Sequence, residues 1–172
     1  MQAKTYGDWD QLGNFLGGLS GPHKTCFDNY MYQTLTIVGY KARAKIHEDI
    51  KARKYKPNAP QTLKQKSPKD IPLIDTGQLM RSVTVDDRHR GQMLVFVGIL
   101  KTERHKDRNG RDVMAKNIAL ELHEGAVHGN VRIPPRPFIR QPLSSPTFQG
   151  WAEKKMVQSL RAILIHIMQG GC

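Results

Sequence analysis

Residues that can bind a metal ion lie closest together in the segment HEGAVH, at residues 123–128. The segment is similar to the zinc-protease signature His-Glu-x-x-His, in which imidazoles at positions i and i+4 share one helical face. Here His128 follows His123 at position i+5, and Gly125 between them is expected to end a helix. No cysteine pair or third ligand lies nearby in the sequence. The sequence therefore predicts no metal site and no cofactor, and both histidines are interpreted as surface or interface side chains.

No possible nucleophile lies in a sequence motif that is typical of covalent catalysis. The chain contains no Gly-x-Ser-x-Gly nucleophile elbow. Cys26 falls on the apolar face of an expected helix, where an unpaired cysteine is usually an inert core residue, and Cys172 ends the sequence. Two cysteines so far apart form no spaced pair, which indicates a reducing compartment without a disulfide framework. No glycine-rich phosphate loop is present either, so the sequence predicts that the protein is not an enzyme.

Positive charge is the main feature of the composition. The 172 residues include 27 lysines and arginines against 15 aspartates and glutamates, a formal net charge of +12. Most of the excess lies in residues 41–69, with only Tyr40 and Tyr55 close by for base stacking. This pattern favours contact with phosphate groups or an acidic protein face over base recognition, although a solvated helix end and loop is the alternative. The candidate contact residues are Lys51, Arg53, Lys54, Lys56, Lys64, Lys66 and Lys69.

Length and hydropathy indicate one domain. The mean hydropathy of −0.54 and the absence of an 18-residue apolar run exclude a transmembrane helix, so no membrane partner is expected. The first residues also lack the apolar core of a signal peptide. We expect an N-terminal arm at residues 1–22 and a single domain at residues 23–172, with a basic loop at residues 55–72.

Local patterns predict the elements of this domain. Apolar residues recur at helical spacing over residues 24–54, so a long first helix is expected. Strands at residues 82–86 and 93–100, joined by a polar turn, predict a β-hairpin. A further helix is predicted over residues 113–123, and a C-terminal helix over residues 146–168.

The N-terminal arm carries large apolar side chains on a glycine-rich segment. Glycines weaken any helix there, so the segment is expected to order only when it docks on a neighbouring molecule. The docking residues are Trp9, Phe15 and Leu16.

The segment IPPRPFIR at residues 133–140, called here the proline-rich segment, is expected to be stiff and extended because its prolines fix φ. We interpret it as part of an oligomer interface, with Phe138 buried and Arg136 paired. The alternative is that Phe138 is a core residue that tethers the segment. The predicted interface residues are Ile133, Pro135, Arg136, Phe138 and Arg140.

Three motifs in series carry a resemblance to a known family. They are DTGQLMRS at residues 75–82, IALELHEG at residues 118–125 and PRPFIR at residues 135–140, the last one leading into the final helix. In their order and spacing the chain resembles the tail-completion and head–tail joining (neck) proteins of tailed bacteriophages. That family is related in pattern to Mu-like virion morphogenesis proteins.

The resemblance implies a structural protein of the virion. It implies an α+β fold in which a long N-terminal helix, a small antiparallel sheet built on the hairpin and a C-terminal helix packed on that sheet form a ring subunit. The implied partners are further copies in a hexameric ring, the adjacent head-side connector and the tail tube proteins. The implied location is the virion neck, assembled in the host cytoplasm. A sequence-independent nucleic-acid-binding protein remains the alternative, because the net charge favours it.

Overall fold

The computed structural model describes residues 21, 23–58, 73, 77–106, 110–129 and 131–171. The predicted docking residues Trp9, Phe15 and Leu16 lie outside the described residues, as do Lys64, Lys66 and Lys69 of the predicted basic loop.

The described chain combines helices with short antiparallel hairpins. The described strands pair two by two in chain order and so form three separate two-stranded sheets. This mixture of a long N-terminal helix, small antiparallel sheets and a C-terminal helix confirms the coarse outline of the predicted α+β fold. In chain order the elements are α1 (Lys24–Lys51), α2 (Gln78–Ser82), β1 (Val83–His89), a 3₁₀ turn (Arg90–Gln92), β2 (Leu94–Ile99), β3 (Arg104–Lys106), β4 (Asp112–Met114), α3 (Ala115–Glu124), β5 (Ala126–His128), β6 (Val131–Ile133), α4 (Arg140–Leu143) and α5 (Pro146–Met168).

Helix α1 is the central element and contacts β1, β2, α4 and α5. No proline interrupts it, and its apolar residues recur on one broad face that includes the buried Met31, Ala42 and Ile46. The helix ends at Lys51, before the predicted end at residue 54, because the chain turns away where Arg53 adopts a left-handed φ of 57°.

The larger hydrophobic cluster joins α1 to the hairpin and to the proline-rich segment. Burial of these apolar side chains is the main stabilising contribution in a domain of this size. Its buried members are Ile46, Ile50, Tyr55, Leu73, Leu79, Val83, Ala119 and Phe138.

A smaller cluster holds the C-terminal helix. Ile163 and Ile167 of α5 pack with Met31 of α1, and Met93, in the turn before β2, lies against them. The prediction that the C-terminal helix packs on the sheet is therefore wrong in this respect. Helix α5 packs along α1, and α1 lies against the hairpin, because the buried face of α1 is broad enough to serve both.

Cys26, near the start of α1, is disulfide-bonded, so the prediction of an unpaired core thiol is wrong. Cys172, the other cysteine of the chain, lies outside the described residues. Cys26 packs against the cluster of Met31, Ile163 and Ile167, where the N-terminal part of α1 meets the C-terminal part of α5. Cysteine spacing could not indicate this contact between distant parts of the sequence. Because Cys26 is disulfide-bonded, the reason for inferring a reducing compartment no longer holds.

Gly39 lies where α1 approaches the β1–β2 hairpin closely. A Cβ atom on Gly39 would lie 2.7 Å from Cγ1 of Val95 and 3.2 Å from Cγ1 of Val85. We expect Gly39→Ala to lower the free energy of unfolding by about 1 kcal/mol, because overpacking costs about 1–3 kcal/mol and exceeds the gain in helix propensity. Gly150→Ala on α5 is the matched control.

At Gly150 an added Cβ would meet no atom within 4 Å, so alanine is expected to raise the free energy of unfolding by about 0.5–1 kcal/mol. Urea titration of both variants measures the difference. Equal stabilisation by the two substitutions would contradict the close approach of α1 to the hairpin.

Candidate functional site

The proline-rich segment crosses the C-terminal end of α3. The backbone N–H of Arg136 donates to the carbonyl oxygen of Leu122 over an N···O distance of 2.9 Å. Gly125 ends α3 with a φ of 84°, and a Cβ there would lie only 2.9 Å from the carbonyl oxygen of Ile133. Glycine is required because it permits both this backbone conformation and this close crossing.

Phe138 is the residue that fixes the segment to the core. Its side chain is fully buried in the larger hydrophobic cluster. The ring of His123 meets it edge-on, with 6.0 Å between ring centroids, and the hydroxyl of Tyr55 donates to its carbonyl oxygen at 3.4 Å. Burial raises the pKa of Tyr55, so that hydroxyl keeps its proton. These contacts match the interpretation of Phe138 as a core residue that tethers the segment.

Arg136 ties the segment to the chain that follows α1. Its guanidinium donates from Nε to the carbonyl oxygen of Lys56 at 2.9 Å and from Nη2 to that of Pro57 at 2.9 Å. A longer contact of 3.5 Å joins Nη2 to Oδ1 of Asn58. Only 4% of Arg136 is exposed, and burial lowers the pKa of its guanidinium. A buried arginine held by neutral oxygens keeps a positive charge that its hydrogen-bond partners do not neutralise.

A cleft of about 530 Å³ lies beside this arginine. Its lining comes from the residues that follow α1, the proline-rich segment, the start of α4 and the end of α3. Lysines and arginines outnumber acidic residues in the lining, which consists of Lys54, Tyr55, Lys56, His123, Glu124, Pro135, Arg136, Pro137, Arg140 and Gln141.

Asp49 pairs with two lysines near the end of α1. Its carboxylate accepts hydrogen bonds from Nζ of Lys45 and Nζ of Lys54, each at 2.7 Å. Burial alone would raise the pKa of Asp49, but the two lysines outweigh it, so the pKa lies below its ordinary value. Lys54 is therefore paired within the chain. Of the other predicted phosphate-contact residues, Lys51, Arg53 and Lys56 are exposed.

No family model, curated protein or solved structure matches the chain. None of the helices in the described ranges is long and apolar enough to cross a membrane. Among the same residues, no group of three or more His, Cys, Asp or Glu side chains is placed to hold a metal ion.

The predicted interface residues fall into two groups. The side chains of Arg136 and Phe138 are buried and contact the chain's own core and backbone. Pro135 and Arg140 are exposed, and Ile133 is half-buried. The interface stays a prediction for all five residues, and the hydrogen-bond partners found for Arg136 lie within the same chain.

The two histidines of the HEGAVH segment lie on different elements. His123 is in α3, where Nδ1 contacts Oε1 of Glu124 at 2.8 Å, whereas His128 is in β5, where Nε2 contacts Oε2 of Glu121 at 3.2 Å. Gly125 separates them by ending the helix, as predicted.

A serine–histidine pair was not indicated by the sequence, since no motif marks it. Oγ of Ser82 lies 2.7 Å from Nε2 of His105, with Ser82 buried at the end of α2 and His105 in β3. The Ser82 hydroxyl also donates to the carbonyl oxygen of Gln78 at 3.0 Å. The pair joins the β3–β4 hairpin to the end of α2.

His47 of α1 gives the fold a dependence on pH. Burial, together with the nearby charges of Arg43 and Lys51, lowers the pKa of His47, although a hydrogen bond with the backbone of Met80 opposes the shift. Its Nε2 is buried without a hydrogen-bond partner among the described residues. The folded chain therefore favours neutral His47, and protonation favours unfolding.

We expect stability to be full above the unfolded-state pKa of about 6.5 and to fall as the pH drops from there towards the lower folded-state pKa. Urea titrations between neutral and mildly acidic pH measure this loss. His47→Gln should flatten the profile, whereas His166→Gln, at an exposed histidine of α5, should leave it unchanged. A profile insensitive to His47→Gln would exclude His47 as the cause.

Proposed function

We propose that this chain is a non-catalytic, ring-forming neck protein of a tailed-phage virion, which completes the tail and joins it to the DNA-filled head. The observation that supports the proposal is that the three motifs of the resemblance meet in one core. Leu79 of the first motif, Ala119 of the second and Phe138 of the third are buried in the same cluster. The hydrogen bond from Arg136 N–H to the Leu122 carbonyl also joins the second motif to the third.

Ring formation requires that one surface of each subunit meets a different surface of the next. In the proposed hexamer, the exposed residues Pro135 and Arg140 lie at or beside that contact. Trp9, Phe15 and Leu16 of the arm dock on a neighbouring ring, and the head-side connector and tail tube proteins flank the hexamer in the neck.

Negative-stain microscopy of the purified protein and of virions that lack it tests this function. Closed rings, together with separate heads and tails in the mutant lysate, are expected. Joined heads and tails in virions that lack the protein would overturn the proposal, whatever the purified protein forms alone.

Sequence-independent binding of nucleic acid is the second candidate, favoured by the net charge and by the exposed Lys51 and Lys56. Duplex binding would then fall steeply with salt and would not depend on base sequence. Fluorescence anisotropy with two unrelated duplexes separates the candidates, using Lys51→Glu/Lys56→Glu and, as a control of equal charge change, Lys154→Glu/Arg161→Glu on α5. Selective loss of duplex binding in the first variant, with normal neck assembly, would favour this second function.

A further inference from the structure

The cleft beside the proline-rich segment contains a buried cation without a buried counterion. Arg136 lines the cleft, and its hydrogen bonds within the described residues go from Nε and Nη2 to three neutral oxygens. The Nη1 donors make no hydrogen bond to that part of the chain. Because Arg136 lines the cleft and its Nη1 donors are unused within the described residues, its guanidinium can donate a charge-assisted hydrogen bond to an anion bound there.

The other charges around the cleft strengthen the same preference. Lys56 and Arg140 of the lining are exposed, and the structure gives neither side chain an ion pair among the described residues. Lys54 also lines the cleft, but its ammonium contacts Asp49. Glu124 is the acidic residue of the lining, and it contacts His123. Among the described residues, therefore, no carboxylate pairs with Arg136, Lys56 or Arg140 of the cleft lining.

The shape of the cleft decides which anion it can take. A volume of about 530 Å³ is in the range that holds a small ligand or a few side chains of a peptide. Because Arg136 is almost fully buried, an anionic group can reach it only at the end of a narrow side chain. The carboxylate of a glutamate or aspartate meets this condition, whereas a phosphodiester of a duplex carries a sugar on either side. Pro135 and Pro137 belong to the lining and have a fixed φ, which reduces the entropy lost on binding.

We propose that this cleft binds an acidic segment of a partner polypeptide, with one carboxylate on the Nη1 donors of Arg136 and neighbouring carboxylates at Lys56 and Arg140. The inference does not depend on the proposed neck function, since it concerns what the folded chain itself can bind.

Isothermal titration of the full-length protein at low salt tests the proposal. The probe is a tetraglutamate peptide blocked at both ends, with blocked tetraglutamine, inorganic phosphate and a short DNA duplex for comparison. Saturable binding of one tetraglutamate per chain is expected, without binding of tetraglutamine. Arg140→Gln and Lys56→Gln are each expected to weaken binding about tenfold, as loss of one charge-assisted contact does.

Arg161→Gln and Lys154→Gln, at exposed positions of α5, are the matched controls and should change the affinity less than about twofold. Arg136 itself is left intact because its guanidinium also holds Lys56 and Pro57, so its removal would disturb the cleft wall. Unchanged thermal unfolding of the two cleft variants confirms that they are folded.

Three outcomes would overturn the proposal. One is no saturable binding of tetraglutamate, and another is equal weakening by the cleft and control substitutions. The third is tighter binding of inorganic phosphate or of the duplex than of tetraglutamate with the same dependence on Arg140 and Lys56, which would assign the cleft to phosphate.

Discussion

Phe138→Ala is expected to lower the free energy of unfolding by about 3–5 kcal/mol, a large part of the stability of a typical domain. The side chain is fully buried among Ile46, Ile50 and Val83, so truncation loses its transfer free energy and leaves a cavity that these neighbours fill only in part. The edge-on contact with His123 is lost as well. Urea titration of the free chain measures the change.

Phe96→Ala is the matched control for this prediction. Phe96 lies on β2, where 41% of it is exposed, and its ring covers Gly98 of the same strand. Its truncation is expected to cost about 1 kcal/mol, because little apolar surface returns to water. If Phe138→Ala proved no more destabilising than Phe96→Ala, the segment would not be fixed by the core, and Phe138 would be available for a neighbouring subunit.

Elements whose signals are local could be predicted from the sequence. Regular apolar spacing without a proline in the helix interior specifies α1 and α5, and two runs of β-forming residues around a polar turn specify the β1–β2 hairpin. Val113 and Met114 form part of β4 instead of the predicted helix, since their pairing with the neighbouring strand outweighs helical periodicity over so short a segment.

The candidate site depends on contacts that no local pattern encodes. Arg136 donates to the carbonyl of Lys56, which lies 80 residues earlier in the sequence. Because every residue carries a backbone carbonyl, the identity of Lys56 does not indicate that it accepts a hydrogen bond from Arg136. The prolines indicated a stiff segment, but whether its arginine and phenylalanine point inward or outward depends on how the segment crosses α3.

The crossing itself yields the second large effect, because Gly125→Ala is expected to destabilise the chain by at least about 3 kcal/mol. Gly125 has φ 84° and ψ 160°, a region that is nearly restricted to glycine and costs other residues about 1–3 kcal/mol. An alanine Cβ would also lie 2.9 Å from the carbonyl oxygen of Ile133 and 3.1 Å from the nitrogen of Pro135. Both are backbone atoms, and Pro135 cannot rotate away, so the segment must move as a unit.

Gly129→Ala separates the cost of the backbone conformation from the cost of the close contact with the proline-rich segment. Gly129 also has a positive φ, of 57°, but a Cβ there would meet no atom within 4 Å, so only the backbone cost of about 1 kcal/mol is expected. Equal effects in the two variants would show that the segment does not press on the end of α3. If Gly125→Ala is much more destabilising, displacement of the segment should lengthen the hydrogen bond between Arg136 N–H and Leu122. Amide hydrogen exchange should then accelerate at Arg136 in the Gly125 variant while staying unchanged in the Gly129 variant.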